Sequence, residues 1–190
     1  MNVAIIDFKD SFTFNIYSII KELGISVVVV DYEKLRLDSI NEFSHIILGP
    51  GPGRTENYRD YFPVVDKLVL DALSERVKLI GICLGHQLIH QCLGREVFQL
   101  EEPIHGQSIE LVFPESNYLR NALQNTRLSL QFYNSWAVRS SASKLTFDLE
   151  LFGSSNEVIA SFSENITTYQ FHCESIGTSF QKELFLQFLV

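Results

Sequence analysis

Positive charge is scarce in this chain of 190 residues: 15 Lys and Arg face 23 Asp and Glu, a formal net charge of −8 at pH 7. Non-specific binding to nucleic acid or to an anionic membrane needs a basic patch, so neither partner is expected. Long apolar runs are also lacking. Although 46% of the residues are hydrophobic, no run approaches the roughly 20 residues that span a bilayer. The 3 cysteines, an odd number, make no disulfide framework. No leader-like pattern opens the sequence, because Asn2–Ile6 is short and Asp7, Lys9 and Asp10 follow it. A reducing, cytoplasmic setting is the expectation. No Ser/Gly-rich linker, internal repeat or low-complexity tract breaks the chain, and its length suits a single domain, 1–190.

What the sequence does have is a junction around which the rest is arranged. Val77 to Ile82 is a short apolar run rich in β-branched residues; it stops at Cys83, and a helix-compatible run, Leu84 to Leu93, begins at once. Gly81 and Gly85 flank the cysteine where a sharp strand-to-helix turn leaves no room for a Cβ. This is the pattern of a nucleophile elbow, with cysteine in place of serine. Such a turn exposes the sulfur at a sheet edge and aims the helix's first N–H groups at whatever the sulfur attacks.

Upstream, Val3–Asp7, Val27–Val30 and His45–Leu48 read as buried strands. Asp10-Ser11 offers a cap for a helix carrying Phe14, Tyr17, Ile20 and Leu23 and ending at Gly24. Gly49-Pro50-Gly51-Pro52-Gly53 is a rigid loop at a strand's carboxyl end. A helix over Arg59–Ser74 precedes the elbow strand. Strands alternating with helices indicate a largely parallel sheet with helices on both faces, whose reactive groups gather at the strands' carboxyl ends. After Gly94 the pattern changes to strands separated by turns: Glu96–Leu100, Ser108–Phe113, Tyr133–Val138, Leu145–Leu151, Val158–Phe162 and Thr168–His172. A closing helix is expected over Thr178–Leu189.

A thiol with a pKa of about 8.5 is mostly protonated at neutral pH, so a cysteine nucleophile needs activation. His172 is the best base. Glu174, two residues along extended chain and therefore on the same side, can hold the imidazole in one tautomer. The oxyanion of a tetrahedral intermediate needs fixed donors; Leu84 N–H and Gly51 N–H are the candidates. Gln87, one turn into the elbow helix, can bind an amide or α-amino group.

Gly81-Ile82-Cys83-Leu84-Gly85-His86-Gln87 together with Gln170-Phe171-His172-Cys173-Glu174-Ser175 resembles the class I, triad-type glutamine amidotransferase family. Asp7–Asn15, Gly49–Gly53 and His105–Ser108 narrow the resemblance to the glutaminase subunits of anthranilate and aminodeoxychorismate synthases, and it covers essentially the whole chain. The resemblance implies an α/β fold: a flavodoxin-like open, largely parallel sheet with helices on both faces, plus additional antiparallel strands in the C-terminal half. It implies hydrolysis of L-glutamine through a cysteinyl thioester, without a cofactor, and delivery of ammonia to a chorismate-using synthase partner. Cys83 is then the nucleophile, His172 the base and acid, and Glu174 the orienter. Gly51, Gly53 and Leu84 surround the glutamine carbonyl, and Gln87, Ser135 and Trp136 its amino-acid end. Two departures stand out. Cys173 replaces the family's proline between base and orienter, and Tyr133-Asn134-Ser135-Trp136 replaces its Tyr-His-Ser-Leu.

Blander readings compete. Cys83 can be a buried structural thiol, His172 a satisfied histidine at a strand end, and Glu174 a solvated acid. His86 and His90 share a helix face near Cys83 and Cys92, but these do not converge as four zinc ligands must, so no metal is expected. Cys173 is expected to be a neutral replacement, free of a disulfide. Asp10 and Ser11 read as a cap rather than a substrate contact, and Asp7 has no evident role. Functional rivals are a glutaminase serving another acceptor, a free-standing γ-glutamyl or amide hydrolase, and a non-catalytic interaction subunit.

Overall fold

The computed structural model describes residues 1–36, 41–140 and 147–189. Its elements are β1 (Val3–Asp7), α1 (Thr13–Glu22), β2 (Val27–Asp31), β3 (His45–Leu48), α2 (Phe62–Leu73), β4 (Lys78–Ile82), α3 (Leu84–Cys92), β5 (Val97–Val112), β6 (Arg127–Arg139), β7 (Leu149–Phe152), β8 (Glu157–Phe162), β9 (Ile166–Tyr169) and α4 (Gln181–Leu189). Among the described residues these strands join in one sheet, ordered β2-β1-β3-β4-β9-β8-β6-β5, with β7 on β8. The five strands from β2 to β9 run parallel; β8, β7, β6 and β5 are antiparallel. No helix among the described residues is long and apolar enough to cross a membrane.

The parallel strands are apolar throughout because both faces are covered. Val3 and Ile5 pack with Ile16 and Ile20 of α1 and with Leu184 and Phe185 of α4. Ala4 and Ile6, pointing the other way, pack with Val65 and Leu68 of α2 and with Leu84 and Leu88 of α3. Register decides where chemistry can occur. Ile6 pairs with Leu48, Leu48 with Gly81, and Ile82 with Tyr169. The segments following β1, β3, β4 and β9 therefore leave the sheet along one edge.

Several boundaries differ from the sequence reading. The two strands expected at Glu96–Leu100 and Ser108–Phe113 are one strand, β5, which pairs with β6 through register shifts at Gln99/Ile104 and His105/Gln107. Strand β6 begins at Arg127, well before Tyr133. Of the expected strand at Leu145–Leu151, its first two residues lie outside the described residues, and pairing is observed for Leu149–Phe152. Strand β9 stops at Tyr169, so His172 lies beyond it. A 3-10 stretch, Thr55–Tyr61, precedes α2, which starts with Pro63 in its first turn, where a missing N–H is harmless. Helix α4 begins at Gln181, since Thr178 and Ser179 instead bond their hydroxyls to the β6 backbone. Helix α1 buries Thr13, Ile16, Ile19 and Ile20 and leaves Phe14 exposed. Its N-cap is Phe12, without a side-chain cap, so neither Asp10 nor Ser11 caps it; Asp10 accepts the Phe12 N–H at 2.8 Å in the turn leading into the helix. Asp7 acquires a role, accepting from the Lys9 N–H and the Thr13 hydroxyl, both at 2.8 Å.

Helix α3 approaches β3 too closely for a side chain at Gly85: a Cβ there would sit 2.1 Å from the Leu48 carbonyl oxygen. Backbone cannot yield as a flexible side chain can. Gly85→Ala is expected to lower the free energy of unfolding by about 3 kcal/mol or more, at the upper end of overpacking costs. Urea denaturation reads this directly, and a loss below about 1 kcal/mol contradicts the contact.

Candidate active site

Cys83 occupies φ 51°, ψ −100°, outside the regions an L-residue ordinarily adopts. Three backbone bonds hold it there. The Cys83 N–H donates to the Tyr169 carbonyl at 2.8 Å, the Gln87 N–H to the Cys83 carbonyl at 3.1 Å, and the Gly85 N–H to the Gly49 carbonyl at 3.2 Å. Helix α3 starts at the next residue, so the sulfur stands at its positive end.

His172 is held from the other side of the sheet edge. Its N–H donates to the Gln131 carbonyl at 2.9 Å, and its carbonyl accepts the Thr178 hydroxyl at 2.7 Å. The imidazole Nδ1 lies 2.7 Å from Glu174 Oε1, and the Cys83 sulfur is close enough to act electrostatically on the ring. His172 and Glu174 are 3% and 2% exposed, so water contributes little to solvating either. Burial alone pulls the imidazolium pKa down, but the Glu174 carboxylate and the Cys83 sulfur outweigh it and hold His172 well above its ordinary value. The rings of Phe12 and Tyr133 flank the imidazole at 4.9 and 5.1 Å between centroids. Both residues sit in motifs the sequence displays, but neither stood out as a neighbour of His172. Gln170 was equally unmarked; its side-chain amide donates toward Cys83 Sγ at 3.7 Å.

A cavity of about 340 Å³ opens on Cys83. Gly51, Gly53, Leu84, Gln87, Ser135 and Trp136 all line it, so every residue expected around the substrate meets there. Asp10, Pro52, Tyr133, Asn134 and His105 complete the wall, which brings Asp10 to the cavity as well as to the turn that precedes α1. Gly51 packs against the elbow: a Cβ on it would lie 2.5 Å from Leu84 Cδ2 and 2.6 Å from Phe8 Cβ. The two candidate oxyanion donors therefore share one wall, and among the described residues neither N–H has a protein acceptor. The Gln87 amide nitrogen is engaged within the protein, donating to the Trp136 carbonyl at 2.9 Å and to Gln170 Oε1 at 3.2 Å, which leaves its oxygen for a ligand. The Asn134 amide supports the same Trp136 carbonyl at 3.0 Å, Ser135 lies 3.1 Å from His105 Nε2, and Arg54 stacks over Trp136 at 5.8 Å. Two larger cavities, of about 850 and 670 Å³, include neither Cys83 nor His172.

The remaining ionisable groups lie apart. His86 and His90 are fully buried; burial pushes His86 down to about 3 and His90 well below its usual value. His90 Nε2 stands 3.1 Å from the Thr168 hydroxyl and 3.2 Å from that of Ser161. All three cysteines are free thiols. Cys173 faces the core, fully buried, and burial raises its thiol pKa strongly. A thiol beside an imidazole, itself backed by a carboxylate and opening on a small polar pocket lined by Gly51 and Leu84, has the parts that nucleophilic acyl transfer needs.

Comparison with known proteins agrees with this chemistry. The pattern of the family "Glutamine amidotransferase class-I" matches residues 4–190. The chain is 30% identical to anthranilate synthase component 2 of Saccharolobus solfataricus, over 97% of this chain and 96% of that one. It is also 30% identical to aminodeoxychorismate/anthranilate synthase component 2 of Bacillus subtilis, over 98% and 95%. A Thermoplasma acidophilum crystal structure, described as that of a GMP synthase subunit, superposes with a TM-score of 0.84 at 19% identity, covering 100% of this chain and 92% of the other. That likeness concerns the fold. The chain belongs to the class-I glutamine amidotransferase family.

Proposed function

We propose that the 190 residues act as one domain, a glutaminase subunit that hydrolyses L-glutamine through a thioester on Cys83 and passes ammonia to a chorismate-using synthase. The observation that carries the reading is the buried line from Glu174 through His172 to Cys83, 2.7 Å at its first link and opening on the 340 Å³ cavity.

In this reading His172 takes the proton of Cys83, and the thiolate adds to the glutamine carboxamide carbon. The carbonyl oxygen becomes an oxyanion facing the N–H groups of Gly51 and Leu84. As the C–N bond breaks, His172 returns the proton to the departing nitrogen, and ammonia leaves behind a γ-glutamyl thioester. Water enters, His172 removes its proton, and the C–S bond breaks to give glutamate and the regenerated sulfur. Glu174 keeps Nδ1 protonated so that Nε2 faces sulfur throughout. Gln87, Ser135 and Trp136 receive the amino-acid end of the substrate. None of these steps calls on a metal or cofactor.

Ammonia needs an acceptor, and the sequence carries no phosphate-binding G-x-x-x-x-G-K-[ST] loop or other second chemical site. The component 2 names of the relatives support a component 1 partner that makes anthranilate, aminodeoxychorismate or both. Such biosynthetic chemistry, with free thiols throughout, suits a cytoplasmic location.

Cys83→Ala is expected to remove glutamine-dependent amination in the reconstituted complex, by about 10³-fold or more given the effect of deleting a nucleophile. Amination from added ammonium should continue. Loss of both activities contradicts the division of labour. The acid–base linkage gives a second test. An imidazole whose folded pKa exceeds its unfolded value of about 6.5 stabilises the fold fully below that pH, and loses this contribution as pH rises toward the folded pKa. Stability should therefore fall more steeply from pH 7 to 9 in the wild type than in Glu174→Gln, where the raising partner is gone. Equal slopes in urea denaturation contradict the His172–Glu174 coupling.

A further inference from the structure

The Gly49–Gly53 loop faces the substrate cavity on one side and an aromatic cluster on the other. Tyr58, in the 3-10 stretch that follows the loop, is 8% exposed. Its ring meets those of Phe8 and Tyr32 edge-on, with centroids 5.3 and 5.5 Å apart. Its hydroxyl reaches back and donates to the Pro52 carbonyl at 2.9 Å. Burial pushes that hydroxyl up to about 12, so it remains a donor throughout the neutral range.

At the other end of the loop, the Gly49 N–H donates to the Ile6 carbonyl and the Gly49 carbonyl accepts from Gly85, each at 3.2 Å. The Pro50–Gly51 peptide lies between these two anchors, and Gly51 lines the cavity with no protein acceptor for its N–H among the described residues. Glycine has no side chain to bias its own torsions, so what fixes this peptide plane must come from its neighbours. Pro50 and Pro52 restrict their own φ angles, and the Tyr58 hydroxyl restrains the carbonyl of Pro52, the residue after Gly51. A Cβ on Gly51 would stand 3.4 Å from the same hydroxyl.

We propose that Tyr58 is a positioning residue for the oxyanion hole: by holding the Pro52 carbonyl it keeps the Gly51 N–H aimed at the oxygen that gains charge when Cys83 attacks. The inference rests on the glutaminase reading. Tyr58 lines no part of the cavity that opens on Cys83, and acts entirely through the loop. Its signature follows from that. A donor misaimed by a fraction of an ångström still tolerates the neutral carbonyl of bound glutamine but serves the oxyanion poorly, so kcat should fall while KM stays put.

The test is Tyr58→Phe in the full chain, which deletes the hydroxyl and keeps the ring in its aromatic cluster. Removing an oxyanion donor outright lowers kcat by about 10²–10³-fold; a donor that remains but is loosely aimed is expected to lower it by about tenfold, with KM for glutamine within about twofold. Alkylation of Cys83 by iodoacetamide, a displacement that builds no oxyanion, should keep its wild-type rate. An unchanged kcat overturns the proposal. So does an equal fall in kcat and alkylation rate, which would mean general damage to the thiol's surroundings. If wild type itself turns over no glutamine, with or without the synthase, the glutaminase reading fails and takes this inference with it.

Discussion

The close approach of α3 to the end of β3 is the constraint on which the site depends. Gly85 lies against the Leu48 carbonyl, and its N–H bonds the next carbonyl along, that of Gly49. One residue without a side chain thus clamps the elbow to the loop that faces it. The parallel register supplies the rest, since pairing Leu48 with Gly81 and Ile82 with Tyr169 brings separate segments to the same edge. Strain at Cys83 is tolerated because flanking bonds to Tyr169 and Gln87 over-determine its position. A residue held this way needs little reorganisation when it reacts.

Around that geometry the electrostatics orient the side chains more than they stabilise the fold. Placing an imidazole and a carboxylate out of water is costly, and their mutual attraction need not exceed the desolvation penalty. Glu174 Oε2 has no hydrogen-bond partner among the described residues, so this pair is incompletely satisfied. What the burial achieves is a single orientation. The ring is gripped by Glu174, flanked by Phe12 and Tyr133, and fixed by backbone bonds through Gln131 and Thr178. The neighbouring Cys173 contributes apolar packing from within the core, where the family's usual proline would stiffen the backbone instead.

Legibility in the sequence followed the range of the interactions involved. The elbow was readable because its cause is local: two glycines, one cysteine and an abrupt change of periodicity within a few residues. The parallel half was readable because its strands are buried on both faces and appear as continuous apolar runs. Helix α1 was partly misread, since Phe14 and Ile16 both fit a helical repeat and only packing against the sheet selects Ile16. The fusion of two short strands into β5 depends on bulges against β6, a partner that spacing within β5 cannot reveal. The engagement of Gln87 was hidden for a similar reason. Its amide bonds a carbonyl 49 residues away in sequence, and nothing near Gln87 announces it. Phe12 and Tyr133 lie in recognisable motifs, but their contact with His172 joins segments far apart in sequence and has no local sign.

The central claim is that the sulfur at the elbow, and no other, is the group that meets the glutamine carbonyl. Treating the wild-type protein with a chloroketone analogue of glutamine and mapping the adduct by peptide mass spectrometry tests it most directly. The account predicts one equivalent of label on Cys83, with glutamine protecting and neither Cys92 nor Cys173 modified. Label on another residue, or none on Cys83 in a preparation that hydrolyses glutamine, contradicts it.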